Sequence, residues 1–225
     1  HMVEFASNGK TATGYLAASL SGSGPGVIVI QEWWGLVPHI MEVADRLAAA
    51  GFTALAPDLY HGEATSEPDD AGKLMMNLDL PQAAQDMSGA VDFLISEEAC
   101  DTSTVGAMGF CMGGGMVLWL STIKPEISAC VPFYGVIPWD GVQPDYAASE
   151  ASYLGHYAEN DNPAVNDGAR KAEARLRELG KEAKFIFYPG TGHAFFNDER
   201  DDVYDEAAAD LAWQRTLEFM RQHVN

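Results

Sequence analysis

The segment Gly26-Val-Ile-Val-Ile-Gln31 constrains the fold more than any other stretch of the chain. Its apolar residues run without alternation, so a strand formed there must be covered on both faces. A strand with one wet face would alternate apolar and polar residues instead. The run is also far short of the about 20 apolar residues that cross a bilayer. Doubly covered strands belong to parallel sheets flanked by helices, and the rest of the chain keeps that rhythm.

Phe52–Ala56, Thr104–Phe110, Ala129–Tyr134, Ser152–Tyr157 and Ala183–Tyr188 read as further strands. Helical spacing lies between them. His39–Ala50 places Ile40, Val43, Ala44 and Leu47 on one face, and Gly51 stops it. Pro81–Ile95 does the same with Met87, Val91 and Leu94. A helix follows Cys111 through Leu120, another spans Asn166–Leu179 before Gly180, and Tyr204–His223 closes the chain. Val3–Phe5 and Thr13–Ala17 pair across the Asn8-Gly9 turn. His61–Asp79, with Gly62, Pro68, Asp69, Asp70 and Gly72, reads as an irregular excursion and a candidate lid. The expected fold is α/β: one domain over residues 1–225, with a mostly parallel central sheet and helices on both faces, a three-layer sandwich. His1-Met2 reads as the remnant of a cleaved tag.

Composition narrows the function classes. With 47% apolar residues the chain can bury a core, which excludes a disordered polymer. Thirteen Lys+Arg against 33 Asp+Glu give a charge of −20, which repels phosphate backbones and anionic bilayers. No nucleic-acid or membrane partner is expected. The cysteines Cys100, Cys111 and Cys130 are too few for a disulfide framework, and with no secretory signal they suit a reducing, cytoplasmic setting. No metal-ligand cluster, phosphate loop or dinucleotide fingerprint appears, so no cofactor and no metal is expected. The expected assembly is a monomer or a small homo-oligomer.

In sheets of this kind ligands bind at the carboxyl ends of the strands. After Thr104–Phe110 comes Gly109-Phe-Cys111-Met-Gly113, a nucleophile elbow of the G-x-S-x-G kind with cysteine as its centre. The small flanking residues let strand and helix approach closely. The helix N-terminus beside the sulfur favours thiolate over thiol. Such a nucleophile needs a base, and the base an orienting acid. Asp161 follows the Ser152–Tyr157 strand and His193 the Ala183–Tyr188 strand, giving the chain order nucleophile, acid, base expected on this scaffold. The bland readings are a buried small hydrophobe for Cys111 and a turn cap for Asp161. After Val27–Ile30 comes Gln31-Glu-Trp-Trp-Gly35. The N–H of Trp33 there, with that of Met112, fits an oxyanion hole. Glu32, a buried acid at a strand end, requires a partner.

Gln31-Glu-x-x-Gly35, Ala56-Pro-Asp-Leu-Tyr60, Gly109-Phe-Cys-Met-Gly-Gly114, Tyr134-Gly135 and Gly192-His-Ala-Phe195 resemble the dienelactone hydrolase (carboxymethylenebutenolidase) family of α/β-hydrolases. The resemblance covers nearly the whole chain. It implies Cys111 as nucleophile, His193 as base and Asp161 as orienting acid. It implies that Glu32 contacts the resting cysteine, is displaced when substrate binds and takes the thiol proton. It also implies that Trp34, Phe133 and Tyr134 line the substrate pocket. One departure stands out. The family grips its substrate carboxylate with arginines, one of them four residues after the histidine, where this chain has Asn197. The excursion offers Lys73 in place of a second arginine, and Arg200 is out of register. The reading is a hydrolase of esters or lactones working through an acyl-thioester. A non-catalytic small-molecule binder and a redox-sensing thiol protein on the same scaffold remain alternatives.

Overall fold

A computed structural model describes all of residues 1–225. One eight-stranded sheet runs through the chain: β1 (Met2–Ser7), β2 (Lys10–Ala17), β3 (Gly24–Ile30), β4 (Thr53–Pro57), β5 (Cys100–Phe110), β6 (Ile127–Phe133), β7 (Ser152–Ala158) and β8 (Ala183–Tyr188). Their order is β1-β2-β4-β3-β5-β6-β7-β8. The pairs β1·β2 and β2·β4 are antiparallel, and every other pairing is parallel.

The uninterrupted run in β3 behaves as its composition requires. Ile28 and Ile30 face one core, Val27 and Val29 the other, and all four are inaccessible to solvent. The first core is roofed by α3 (Leu80–Ser96), α4 (Met112–Ile123) and α5 (Pro163–Glu178), through Met87, Met116 and Leu176. The second is closed by α1 (Pro38–Ala49) and α6 (Glu206–His223), through Ile40, Leu47, Ala212 and Met220. The three-layer α/β sandwich expected from the sequence is the observed architecture.

Local chemistry sets the helix ends. Asp79 accepts from the Gln82 N–H at 3.0 Å and starts α3, and Asn162 accepts from the Ala164 N–H at 2.9 Å and starts α5. Each helix has Pro in its first turn. Gly51, at φ +97°, ends the turn after α1. The irregular excursion is a partial misreading: His61–Asp79 contains α2 (Pro68–Met76), with Pro68 opening it and Ala71 its one buried residue. A short 3-10 turn at Tyr146–Ala148 also went unread. No helix is long and apolar enough to cross a membrane.

Candidate active site

Five parallel strands end side by side, and each is followed by one of the residues singled out above. Glu32 and Trp33 follow β3, Cys111 follows β5, Tyr134 follows β6, Asp161 follows β7 and His193 follows β8.

Cys111 is the residue between β5 and α4, at φ +56° and ψ −118°. A β-carbon is disfavoured at such positive φ, and holding it there costs about 1–3 kcal/mol. The surroundings impose the geometry. The Cys111 N–H donates to the Phe133 carbonyl at 3.0 Å, and its carbonyl accepts from the Gly114 N–H at 2.9 Å. The flanking glycines permit the turn by their size. A β-carbon on Gly109 would lie 2.1 Å from the Gly113 carbonyl oxygen, and one on Gly113 would lie 2.4 Å from that of Gln31. The thiol is half-buried, whereas Cys100 and Cys130 are core residues.

His193 Nδ1 and Asp161 Oδ2 are 2.6 Å apart, with the carboxylate 3% and the ring 38% exposed. The Asp161 Oδ1 atom accepts from the Asn162 N–H at 2.6 Å, which fixes the carboxyl plane. The two loops that carry the pair are stitched together. The Gly190 N–H donates to Glu159 Oε2 at 2.7 Å, and the Asn160 N–H to the Thr191 carbonyl at 2.9 Å. Burial of the His193 ring pushes its pKa down. The Asp161 carboxylate and the neighbouring Cys111 sulfur outweigh that and raise it to about 10. The Tyr134 ring, 5.1 Å from the imidazole between centroids, closes one side.

Cys111, Asp161 and His193 line one cleft of about 550 Å³ together with Glu32, Trp33, Trp34, Met112 and Tyr134. The remaining wall is mainly apolar, from Val136, Ile137, Pro138, Ala164 and Val165. Neither the Met112 N–H, first of α4, nor the Trp33 N–H, in the turn after β3, is taken by an acceptor in a turn, loop or cap. No set of three or more His, Cys, Asp or Glu side chains converges as metal ligands.

Glu32 is 2% exposed. Its Oε1 accepts from Asn197 Nδ2 at 3.2 Å, and no hydrogen bond joins it to the Cys111 sulfur, the partner that the resemblance implied. Burial raises its pKa to about 7, against the opposing pull of His193, Arg200 and the Asn197 amide.

Phe133 stands outside the cleft. It is fully buried in the core beneath the sheet, against Phe110, His156 and Phe196 at centroid distances of 4.7, 4.6 and 5.2 Å. Side chains of a strand alternate faces, and the last residue of β6 points to the side away from the cleft. Tyr134, at φ +34°, lies beyond the strand and reaches the opening.

Lys73 and Asn197 also lie off the cleft lining, whereas Arg200 is on it, with its guanidinium 5.9 Å from the Trp34 ring centroid. Met75 of α2 lines the cleft too, and its carbonyl accepts from Trp139 Nε1 at 3.0 Å. Residue counting set Arg200 aside, and the reading of 61–79 as irregular hid Met75. The apolar spacing of Ala71, Leu74 and Met75 was the available signal for the helix that carries it.

Comparison with known proteins agrees with this picture. The model of the dienelactone hydrolase family matches residues 12–224. The protein named usf of Aquifex pyrophilus is 37% identical over 99% of this chain and 98% of its own. A protein of Aquifex aeolicus, provisionally named a carboxymethylenebutenolidase, is 33% identical over the same shares. The crystal structure of a protein of Klebsiella pneumoniae, provisionally named a dienelactone hydrolase, superposes with a TM-score of 0.84 at 28% identity and 99% coverage of both chains. With the family model spanning nearly its whole length and the sheet order and strand-end cleft in place, the chain belongs to the dienelactone hydrolase family and is an ester or lactone hydrolase with an α/β-hydrolase fold.

Proposed function

We propose that Cys111 is the nucleophile of this hydrolase, with His193 as its general acid and base and Asp161 as the group that orients the ring. The observation that carries the reading is the 2.6 Å bond between His193 Nδ1 and Asp161 Oδ2. It leaves Nε2 as the nitrogen for proton exchange, in the cleft that also holds the sulfur.

The thiolate adds to the carbonyl carbon of the ester or lactone, forming the C–S bond. The Met112 and Trp33 N–H groups receive the oxyanion. The intermediate collapses by breaking the C–O bond, and protonated His193 gives its proton to the departing alkoxide. Neutral His193 then takes a proton from water, whose oxygen attacks the thioester. Carboxylic acid departs, and the thiolate–imidazolium pair is restored. A pKa of about 10 at His193 suits the protonated ring that this cycle starts from. Glu32, titrating near neutrality, is the acceptor for a proton resident on the sulfur.

For the substrate, Trp34 and Tyr134 offer aromatic walls, and Arg200 is the one Lys or Arg side chain on the cleft lining. We assign it the task of holding an anionic group on the acyl or alcohol portion. Brief incubation with p-nitrophenyl acetate, followed by mass spectrometry, yields an acetyl adduct on Cys111, and Cys111→Ala yields neither adduct nor turnover. An unmodified Cys111 in a protein that turns over defeats the reading. Arg200→Met lowers kcat/KM for carboxylate-bearing lactones by about 10–100-fold and leaves neutral esters within about threefold. Equal losses on both classes remove the anionic preference.

A further inference from the structure

The sheet hands its order on to the loops that carry Asp161 and His193. The last paired residues of β7 and β8 are Ala158 and Tyr188, and the Glu159 N–H donates to the Tyr188 carbonyl at 3.2 Å. The next residue of the second loop is Pro189, which has no N–H to continue the ladder. The pairing resumes one residue later. The Gly190 N–H donates to Glu159 Oε2 at 2.7 Å, the Asn160 N–H to the Thr191 carbonyl at 2.9 Å, and His193 Nδ1 meets Asp161 Oδ2 at 2.6 Å. The His193–Asp161 contact is thus the last of three successive cross-links between the loops, and the Glu159 side chain makes the first.

Both ends of that first link favour it. The Glu159 and Ala158 carbonyls accept from Nδ2 of the buried Asn166 on α5, at 3.3 and 2.8 Å, so the side chain starts from a firm backbone. At the other end Gly190 takes φ +74° in the turn after Pro189. The backbone bond of that turn, from the Thr191 N–H to the Tyr188 carbonyl, is long at 3.4 Å, and the Thr191 hydroxyl donates to the same carbonyl at 2.7 Å. The Gly190 N–H finds its acceptor only in the neighbouring loop.

We propose that Glu159 is a positioning residue that holds the Gly190 turn against the loop of Asp161 and so sets the distance and angle at which the acid meets the His193 ring. The inference rests on His193 being the base and Asp161 its orienting acid. Reach matters here more than charge. A carboxamide oxygen accepts the same N–H, whereas a side chain one methylene shorter does not span to it. The bond is open to water, so it adds little to global stability. Its effect on catalysis is larger, because a displaced imidazole loses alignment with the group it serves.

The test compares Glu159→Gln, Glu159→Asp and Glu159→Ala on p-nitrophenyl acetate, with folding checked by urea denaturation. The aspartate and alanine variants lower kcat by about tenfold and leave KM within about twofold, and the glutamine variant stays within about threefold of the parent. The aspartate variant carries the comparison if the alanine variant does not fold. In proton NMR at pH 7 the His193 Nδ1 proton, identified by its absence from His193→Ala, moves upfield in the two shortened variants and keeps its place in the glutamine variant. In an Asp161→Asn background Glu159→Ala changes kcat by less than about twofold, since the contact it sets is already broken.

Unchanged kcat in the shortened variants overturns the proposal. So does an equal loss in the glutamine variant, which makes charge the cause. An undiminished loss in the Asp161→Asn background overturns it too, by showing a merely structural glutamate. Failure of the underlying assignment has a separate signature: Asp161→Asn by itself then leaves kcat intact.

Discussion

The molecule contains two His–Asp pairs of the same length, and only one of them lies beside a thiol. His193 Nδ1 meets Asp161 Oδ2 at 2.6 Å, and His61 Nε2 meets Asp86 Oδ2 at 2.6 Å. In each the carboxylate is buried and the ring partly exposed. Each ring also borders a cavity of similar size, about 550 Å³ for His193 and about 520 Å³ for His61. The difference lies in what else the acid holds. Asp86 accepts from Ser7 Oγ at 2.6 Å and Gln82 Nε2 at 2.8 Å as well, which ties β1, α3 and the segment after β4 together. Asp161 has one further donor, a backbone N–H of its own turn. The first acid is a knot in the scaffold. The second is free to serve the ring. A close His–Asp contact therefore does not mark a reactive site by itself; of the two rings only His193 shares its cleft with a cysteine.

The largest effect that separates the pairs is catalytic. Asp161→Asn lowers kcat by about 10⁴-fold, because the amide favours the wrong imidazole tautomer, while Asp86→Asn leaves kcat within about twofold. Steady-state kinetics on one ester settle it, and comparable losses from both substitutions would erase the distinction. Next in size is stability. Asp86→Asn costs about 1–3 kcal/mol through its three lost or weakened partners, measured by urea denaturation at pH 7.

The remaining effect is of similar size at pH 8, vanishes at pH 4 and has the opposite sign. Glu32 sits on the catalytic side with a single donor, and its pKa rises from 4.5 to about 7 on folding. An acid with a raised folded pKa contributes fully below the unfolded value, and that contribution is lost as pH rises through the folded one. Glu32→Gln therefore stabilises the protein by about 2–3 kcal/mol at pH 8 and by about nothing at pH 4. A Tm difference that does not grow between pH 4 and pH 8 would show that this acid is not strained by its burial.

Much of this could be read from residues alone, where the signal was local. The buried strands announced themselves by unbroken β-branched runs, and the Cys111 turn by glycines that only a close strand–helix approach requires. His193 and Asp161 were singled out because each lies just past a strand, and the fold brings them together at 2.6 Å. Reading failed where position depends on geometry that counting cannot supply. Arg200 sits on an irregular segment, so being seven residues beyond His193 says nothing about where its guanidinium reaches. Phe133 and Tyr134 are neighbours in sequence, yet the strand's alternation sends one into the core while the other, past the strand end, reaches the cleft. The helix that carries Met75 was obscured by the glycine, proline and aspartates around it. Two of those, Asp69 and Asp70, occupy the first turn of α2, where acidic residues suit the helix dipole.

The helix that begins at Met112 is wrapped on almost every side, with residues 112–118, Leu120 and Ser121 all shielded from solvent. Met75, Val136 and Arg200, which shape the opening in front of it, are only partly covered. On the proposed reading, the nucleophile is thus anchored on a fully packed helix, and the residues that would select the substrate are only partly covered. If the proposed site is right, variation at those three positions re-aims the enzyme toward new acyl groups at little cost to its folding, whereas the close packing of Gly113, Gly114 and Gly115 leaves the first turns of that helix almost no latitude for change.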